Sequence, residues 1–411
     1  MGKYDAIVIG AGHNGLTNAA YLAKSGLKVL LLEKNDYIGG AAVSRVLNDG
    51  WTYSNCSYVC SLLRPEIFRD LNLQKYGLQI LAYGGSVTFM ENGDIFGGYS
   101  DADMFRREIS RFSKKDADAF VRFSRDVSRQ CRFIKPMLLR TPPDPTSFKP
   151  KDLGELIYLF KRLYGLGEQT IYDTIRFYTM SVAEYLEEYF ETDVIKAALS
   201  GSGIIGSGLG VYSPGTAYVL LHHYMGEVDG SIGSWGYARG GMGAISNALA
   251  GAFQDHDGEI KKESEVSQII VKNGRAKGVV LANGDEYYAK NVVSNLDVKR
   301  TYQKLFDPKD LSKKILKQVD NFKIRGSSGK LNIALDGLPE FPAMGEKNPL
   351  IYADMHFIDS LERMERAYDD WKNGRWSRDP YTDVLIPTMT DPTMSPPGKH
   401  YMSVFVQYAP A

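Results

Sequence analysis

The N-terminal glycine pattern constrains the fold more than any other part of the sequence. Residues 4–15 read Y-D-A-I-V-I-G-A-G-H-N-G, so a short apolar run is followed by Gly10, Gly12 and Gly15. Residues 16–24 have the apolar spacing of a helix, which places the glycines in a strand-to-helix turn. Gly10 permits a sharp bend, Gly12 lets the backbone approach a pyrophosphate, and Gly15 lets the helix pack close to the strand. The turn therefore predicts a nucleotide site at the positive end of a helix.

An acidic residue follows at the spacing that a ribose site requires. Glu33 closes a second apolar run, residues 29–32, and lies twenty-three positions after Gly10. A carboxylate here accepts hydrogen bonds from both ribose hydroxyls and argues against a 2′-phosphate. With 41 glycines in 411 residues, a glycine spacing alone carries little weight. Strand, helix, second strand and acid in register favour the nucleotide site over a glycine-rich turn in an ordinary βαβ unit.

Two adjacent glycines after the acid favour flavin over nicotinamide. Gly39 and Gly40 are followed by Ala41 and Ala42. Such small residues predict a loop that lies flush against something bulky. In a plain NAD dehydrogenase the chain would more often enter a helix at this point.

Three segments share their pattern with a known family. They read V-I-G-A-G-H-N-G-L-T-N-A-A-Y-L-A-K-S-G, L-L-E-K-N-D-Y-I-G-G-A-A and G-Y-A-R-G-G-M-G-A-I-S-N-A-L-A. The chain thereby resembles the phytoene dehydrogenase-related FAD oxidoreductases, which belong with carotenoid desaturases, retinol saturases and flavin amine oxidases. The resemblance implies FAD as the cofactor.

The same resemblance assigns residues to the parts of FAD. The pyrophosphate would lie at the first glycine turn, the adenosine ribose at the acid, and the flavin beside the second glycine pair. The adenine would meet the backbone of a later strand. These cofactor residues are Gly10, Gly12, His13, Asn14, Gly15, Glu33, Lys34, Gly39, Gly40, Ala41, Ala42, Val266 and Asn295.

The second half of the chain contains a β-meander. Asn-Gly turns separate short strands at 266–271, 276–281 and 286–289, and another short strand at 292–293 ends near Asn295. In the resembled family the meander is an insert in the nucleotide domain, and the last strand returns to its parallel sheet.

The predicted fold class is therefore α/β. It combines a Rossmann-like FAD-binding domain, a parallel sheet with the meander insert, with a mixed α+β substrate domain whose middle third is helical. We expect the FAD-binding domain to be discontinuous, comprising residues 1–70 and 235–300. Residues 71–234 and 301–411 would form the substrate domain.

Composition excludes several classes of partner. The 49 basic and 49 acidic residues give no net charge, so nucleic acid is not expected to bind. No apolar run approaches the about 20 residues that span a bilayer. The first strand starts too close to Met1 to leave room for a signal peptide. The expectation is a soluble, cytoplasmic protein.

Lys330 and His223 are the candidates for catalysis. Lys330 lies in G-S-S-G-K-L-N-I-A-L, which resembles the strand where flavin amine oxidases carry a lysine hydrogen-bonded through water to flavin N5. The alternative is a solvated lysine at a sheet edge. His223 follows His222 on a helical segment, and adjacent residues there point about 100° apart. One of them could face the cavity as an acid or base, and the alternative is a buried histidine bonded to a backbone carbonyl.

The cysteines leave one further alternative open. Cys56 and Cys60 are spaced C-x-x-x-C, whereas flavin disulfide reductases have four intervening residues. With Cys131 they are interpreted as small hydrophobic residues in a reducing compartment. The sequence contains no H-x-x-x-H, C-x-x-C or D-x-D-x-D-G motif, so no metal is predicted.

The predicted function is an FAD-dependent oxidoreductase that desaturates, saturates or oxidises a small apolar substrate. Members of the family finish with a second glycine-rich loop and helix over the flavin, whereas this sequence stops at Ala411 after a strand. We interpret this as a truncation, and the alternative function is a non-catalytic nucleotide-binding remnant. Residues 153–166 combine an apolar face with Lys161 and Arg162. This pattern suits a weak membrane-surface contact, with an ordinary packed helix as the alternative.

Overall fold

Two six-stranded sheets organise the chain. The computed structural model describes residues 3–48, 50–345, 348–350 and 353–410. In these ranges the strands, in chain order, are β1 (Tyr4–Ile9), β2 (Val29–Leu32), β3 (Ser44–Asn48), β4 (Trp51–Ser54), β5 (Ile80–Ala82), β6 (Ser86–Phe89), β7 (Ile95–Gly98), β8 (Glu227–Val228), β9 (Ser231–Ile232), β10 (Gly236–Ala238), β11 (Glu259–Lys261), β12 (Val266–Lys272), β13 (Arg275–Leu281), β14 (Glu286–Ser294), β15 (Ser328–Leu335), β16 (Asp354–His356), β17 (Tyr381–Leu385) and β18 (His400–Gln407). The α-helices are α1 (His13–Lys24), α2 (Pro65–Asp70), α3 (Ala102–Phe112), α4 (Lys114–Ile134), α5 (Pro150–Tyr164), α6 (Glu168–Thr179), α7 (Val182–Glu187), α8 (Asp193–Ile204), α9 (Thr216–Tyr224), α10 (Gly243–Gln254), α11 (Lys313–Asn321) and α12 (Leu361–Lys372).

The first sheet carries, in its parallel half, the predicted nucleotide-binding turn between β1 and α1. Its strand order is β11-β2-β1-β14-β13-β12, and β1 pairs in parallel with both β2 and β14. The central strands β1 and β2 are largely apolar because they are buried on both faces. On one face Val8 and Leu31 share a core with Leu16 of α1 and Phe253 of α10. This packing fixes the turn between β1 and α1 at the carboxyl edge of the sheet, where dinucleotides bind in such folds.

One strand of this sheet differs from the prediction. β14 runs without a break from Glu286 to Ser294, so the predicted division into strands at 286–289 and 292–293 is wrong. Its first part pairs antiparallel with β13, and its second part pairs parallel with β1. The segment E-Y-Y-A-K-N-V-V-S contains no glycine or proline that would interrupt a ladder. The meander and the parallel strands therefore form one sheet.

The second sheet has the order β15-β18-β17-β16-β6-β7. Neighbouring strands are antiparallel, except that β16 runs parallel to β6. Successive residues of a strand point to opposite faces, and the two faces pack into different cores. Val384 and Val404 belong to a core on one face. Tyr381 and Phe405 belong to an aromatic-rich core that includes α4, α8, α9 and α12.

The observed architecture agrees with the predicted α/β fold class. The proposed boundaries at residues 70, 235 and 300 stay a prediction, and β5 pairs with β10 across them. Among the helices in the described ranges, none combines the length and the apolar character needed to cross a membrane.

Candidate functional site

The first glycine turn has the geometry of an anion cradle. Gly10 has a φ of +92°, which is strained for residues with a side chain. A Cβ on Gly15 would lie 2.1 Å from the Gly10 oxygen, and a Cβ on Gly12 would lie 3.1 Å from Asn295 Nδ2. Helix α1 begins at His13, and no side chain caps its N-terminus. Its first N–H groups are thus available to a phosphate, as the sequence predicts.

Glu33 is directed into this turn. It is buried, and its Oε2 accepts a hydrogen bond of 2.9 Å from Ala11 N. Its Oε1 accepts from the backbone N and the Nδ2 of Asn35, at 3.0 and 2.9 Å. A carboxylate offers about four lone-pair sites, so it keeps capacity for a ribose hydroxyl. The remaining acceptor site on Glu33 therefore fits a ribose hydroxyl at the adenosine end of FAD.

The second glycine pair lies against the first turn. Gly39 N donates to Ala11 O at 2.8 Å, and a Cβ on Gly40 would lie 3.0 Å from Gly12 Cα. The φ values of Gly39 and Gly40 are +119° and +58°. Ala42 follows and is buried, and its carbonyl accepts from Ser246 Oγ of α10. The predicted flush loop is present, and the surface that it approaches most closely is the backbone of the first turn.

Of the remaining predicted cofactor residues, His13, Asn14 and Asn295 lie at the same turn. His13 begins α1 at the turn, where burial lowers its pKa and the backbone of Gly39 partly opposes this shift. Asn14 lies in the first turn of α1, and Asn295 N donates to Ile9 O at the end of β14. Lys34 lines a cleft of about 510 Å³ with Glu265, the neighbour of Val266.

Lys330 is turned toward the interior although β15 is an edge strand. Its Nζ donates to Ser54 O at 2.6 Å and lies 5.4 Å from the centroid of the Tyr58 ring. Burial lowers the pKa of Lys330 to about 8, and the nearby Cys56 and Asp383 partly oppose this shift. A solvated edge lysine would have neither contact, so the environment fits the functional alternative better.

A row of side chains crosses the second sheet beside Lys330. Lys330 pairs with Phe405 of β18, and Phe405 pairs with Asp383 of β17. The antiparallel register of β16 and β17 places His356 opposite Asp383. Paired residues share a sheet face, so the four side chains point the same way. Tyr58 covers the row, because it stacks on Phe405 at 5.5 Å and donates to Asp383 Oδ2 at 2.6 Å.

Asp354 completes a polar cluster at the far end of this row. Asp354, His356 and Asp383 each offer one nitrogen or oxygen atom, and these three atoms lie within 4.8 Å of one another. Burial and the negative charge of Asp383 hold the pKa of Asp354 well above its usual range. Burial lowers the pKa of His356, so its imidazole is neutral at neutral pH. Sequence reasoning missed this cluster, and its only local signal was an Asp and a His two residues apart in a strand.

His223 has a different environment from Lys330. Its Nδ1 lies 2.7 Å from Ser202 O and 3.0 Å from Val219 O, and its ring stacks on Trp235. Burial lowers the pKa of His223. In the part of the chain that the structure describes, it makes no hydrogen bond or ring contact with Lys330 or with the glycine turns. This matches the alternative of a histidine bonded to backbone carbonyls, and a catalytic role stays a prediction.

The cysteines are free. Cys60 is buried, and burial raises its pKa to about 11. Burial likewise raises the pKa of Cys131 to about 11. Both are therefore thiols at neutral pH and poor nucleophiles, whereas Cys56 is exposed.

The family model described as flavin containing amine oxidoreductase matches residues 15–410. The chain belongs to this family. The predictions of FAD as the cofactor and of an FAD-dependent oxidoreductase are thereby confirmed, and the glycine turns with Glu33 fit that cofactor.

Similar proteins extend over almost the whole chain. The mouse pyridine nucleotide-disulfide oxidoreductase domain-containing protein 2 is 35% identical, covering 99% of this chain and 74% of the mouse protein. The chloroplastic prolycopene isomerase of carrot, Daucus carota, is 29% identical, covering 98% of this chain and 61% of the carrot protein. The crystal structure of an oxidoreductase from Methanosarcina mazei shares the fold, with a TM-score of 0.62 and 18% identity over 99% of this chain and 79% of that one. The predicted relationship to flavin enzymes of the carotenoid group is confirmed.

Proposed function

We propose that the protein desaturates or saturates a small apolar substrate at FAD, with Lys330 at the reacting end of the site. The observation that carries the proposal is the inward position of Lys330, bonded to Ser54 O and with a pKa lowered to about 8. The bound flavin would supply the acceptor or donor of a hydride equivalent. An amine with such a pKa exists in both protonation forms near neutral pH, so it can hold or release a proton at Nζ.

Ser54, the hydrogen-bond partner of Lys330, is itself bonded to the segment where α10 begins. Ser54 Oγ accepts a hydrogen bond of 3.0 Å from Met242 N, and Ser44 Oγ accepts one of 2.9 Å from Gly243 N. Gly243 begins α10, which packs on α1 beside the nucleotide turn. These bonds support a rigid distance between Lys330 and the bound cofactor.

Aromatic residues near the lysine support an apolar substrate. Tyr58 lies beside the ammonium group of Lys330 and stacks on Phe405. Tyr58 and Ser54 also line a small cavity with Tyr237, on which Tyr83 stacks with ring centroids 4.9 Å apart. Flat aromatic surfaces suit conjugated or branched hydrocarbons. The name of the carrot relative, a prolycopene isomerase, points to the same class of molecule.

We also propose a cytoplasmic location with transient contact to a membrane surface. The three free cysteines support a reducing compartment. On α5, Ile157, Phe160 and Tyr164 are 55%, 66% and 80% exposed. The basic residues Lys161 and Arg162 lie on the same helix. Exposed apolar side chains beside cations suit an anionic membrane surface, from which an apolar substrate could be collected.

The direct test is anaerobic reduction of the enzyme-bound flavin. Purified protein loaded with FAD is mixed, without oxygen and in detergent, with a hydrocarbon precursor that has fewer double bonds than the polyene formed from it. The flavin absorbance near its visible maximum is then followed. We expect bleaching that depends on the precursor and is slower in Lys330→Met. A protein whose FAD is never bleached by apolar precursors, and whose dithionite-reduced flavin is never reoxidised by polyenes, would contradict the proposed substrate class.

A further inference from the structure

We propose that Asp354, His356 and Asp383 bind a divalent first-row transition-metal ion. This cluster lies on the face of the second sheet that carries Lys330, but the proposed FAD chemistry does not need it. The sequence motifs predicted no metal, because the three residues come from two strands that are separated by helix α12 and share no local motif.

The backbone holds the three side chains on one face. Asp354 and His356 are two residues apart on β16, so they point to the same side. The register of β17 places Asp383 opposite His356 on that side. His356 Nε2 lies 3.5 Å from Asp354 Oδ2, and all three ligand atoms fall within 4.8 Å of one another. Ligands about 2.1 Å from a metal are separated by roughly 3 to 4.2 Å, so side-chain movements of about 1 Å or less would complete the site.

The second nitrogen of His356 is arranged as in metal-bound histidines. Nδ1 lies 3.3 Å from the carbonyl of Thr382 and 3.1 Å from the hydroxyl of Tyr381. A carbonyl only accepts hydrogen bonds, so that contact places the proton on Nδ1. Nε2 then has its lone pair toward the carboxylates. Metal-ligating histidines characteristically donate their other N–H to a carbonyl in this way.

The carboxylates are not paired with a lysine or arginine at ion-pair distance in the described ranges, although the charge of Asp383 acts on Lys330. Asp383 is only 4% exposed, and within the described ranges no lysine or arginine forms an ion pair with Asp354 or Asp383. Tyr58 bonds to Asp383 Oδ2, whereas Oδ1 of Asp354 and Oδ1 of Asp383 have no partner among these residues. The hydroxyl of Tyr237 is also buried and unpartnered there, and burial, followed by the charges of Asp354 and Asp383, raises the pKa of Tyr237. Buried carboxylate oxygens without a partner would be stabilised by a cation.

The ligand set favours a transition metal over magnesium or calcium. Two carboxylates and one imidazole combine hard oxygen with borderline nitrogen, whereas Mg²⁺ and Ca²⁺ prefer oxygen alone. The two negative charges would neutralise a divalent ion, so its burial would leave no net charge. Mn²⁺ and Zn²⁺ are therefore suitable probes.

The test measures metal binding rather than turnover. FAD-loaded protein is dialysed against EDTA and then titrated with MnCl₂ or ZnCl₂ by calorimetry, with bound metal counted by mass spectrometry. We expect one ion per chain and a thermal midpoint that rises with the ion, because a ligand of the folded state stabilises it. Asp383→Asn and His356→Gln should each weaken metal binding at least about 100-fold. Loss of a residue that only hydrogen-bonds to a metal ligand already lowers metal affinity about 10 to 100-fold.

The control is Asp379→Asn, an exposed carboxylate paired with Arg363, which should bind the ion as the wild type does. Flavin absorbance and circular dichroism establish that each variant is folded. Wild-type protein that binds neither Mn²⁺ nor Zn²⁺ would overturn the proposal, and the two aspartates would then share a proton instead. Binding that persists unchanged in both ligand variants would overturn it as well.

Discussion

Lys330 and Asp383 stand in one cross-strand row of the second sheet, with Phe405 between them. The Tyr58 ring spans the three, because it lies under the ammonium group of Lys330, stacks on Phe405 and donates to Asp383. A basic and an acidic group thus flank an aromatic surface on this face of the sheet. Ser54 connects the face to the start of α10, because it accepts from Lys330 Nζ and from Met242 N. The row thus connects Lys330, proposed to transfer a proton, with the cluster of Asp354, His356 and Asp383, proposed to bind a metal ion.

Replacement of Lys330 by Met should lower turnover about 100-fold, the usual scale for a lost proton-transfer group. The variant should retain bound FAD, because Lys330 contacts no residue of the glycine turns. Lys309→Met, at an exposed ion pair with Asp307, serves as the control and should be unchanged. Equal turnover in both variants would dismiss Lys330 as a catalytic residue.

The pH profile of the wild type should contain an inflection near 8. Burial lowers the pKa of Lys330 to about 8, so the neutral amine forms as the pH rises through that value. If the neutral amine is the active form, kcat should rise with pH through this point. Lys330→Arg keeps its charge at every accessible pH, and its profile should lose the inflection while flavin absorbance stays constant.

Gly15→Ala should weaken FAD binding by roughly tenfold or more. The new Cβ would lie 2.1 Å from the Gly10 oxygen, so the helix must move away from the turn. Overpacking of this kind costs about 1–3 kcal/mol, which corresponds to roughly tenfold or more in affinity. Gly154→Ala is the matched control, since a Cβ there has open space in α5. The ratio of flavin to protein absorbance measures both.

Glu33→Gln should weaken FAD binding about 10 to 100-fold, because hydrogen bonds to a charged group contribute about 1.5–3 kcal/mol. The amide nitrogen of glutamine would also face the N–H of Ala11 or Asn35. Glu362→Gln, at a largely exposed pair with Arg366, should bind FAD normally. Fluorescence titration of the apoprotein with FAD distinguishes these outcomes.

Cys56→Ser and Cys60→Ser should both leave flavin reduction by substrate intact. Cys60 is a buried thiol with a pKa raised to about 11, and serine fills nearly the same volume. Stopped-flow absorbance gives the reduction rate of each variant. A large loss with Cys56→Ser would revive the disulfide reductase alternative.

Ile157→Glu combined with Phe160→Glu should abolish binding to anionic vesicles without changing the thermal midpoint, because both side chains are exposed. Val121→Glu alters an equally exposed position on α4 and is the control. Co-sedimentation with vesicles of phosphatidylcholine and phosphatidylglycerol measures binding. Wild-type protein that never sediments with the vesicles would contradict the proposed membrane contact.

The sequence by itself determined the cofactor end of the molecule. The glycines at 10, 12 and 15, the acid at 33 and the pair at 39 and 40 lie within forty residues. Their roles depend on local backbone geometry, namely a turn, a helix start and a strand end. Local geometry follows from residue type and spacing, so this part was predictable.

Only the tertiary structure decided the arrangement on the second sheet. Lys330, Phe405, Asp383 and His356 come from four strands whose order is not the chain order. Their proximity depends on register between distant segments, which no local pattern encodes. The same pairing turned an edge lysine inward and gathered Asp354, His356 and Asp383. Residue spacing therefore predicts where FAD binds, whereas long-range strand pairing decides which side chains meet on the second sheet.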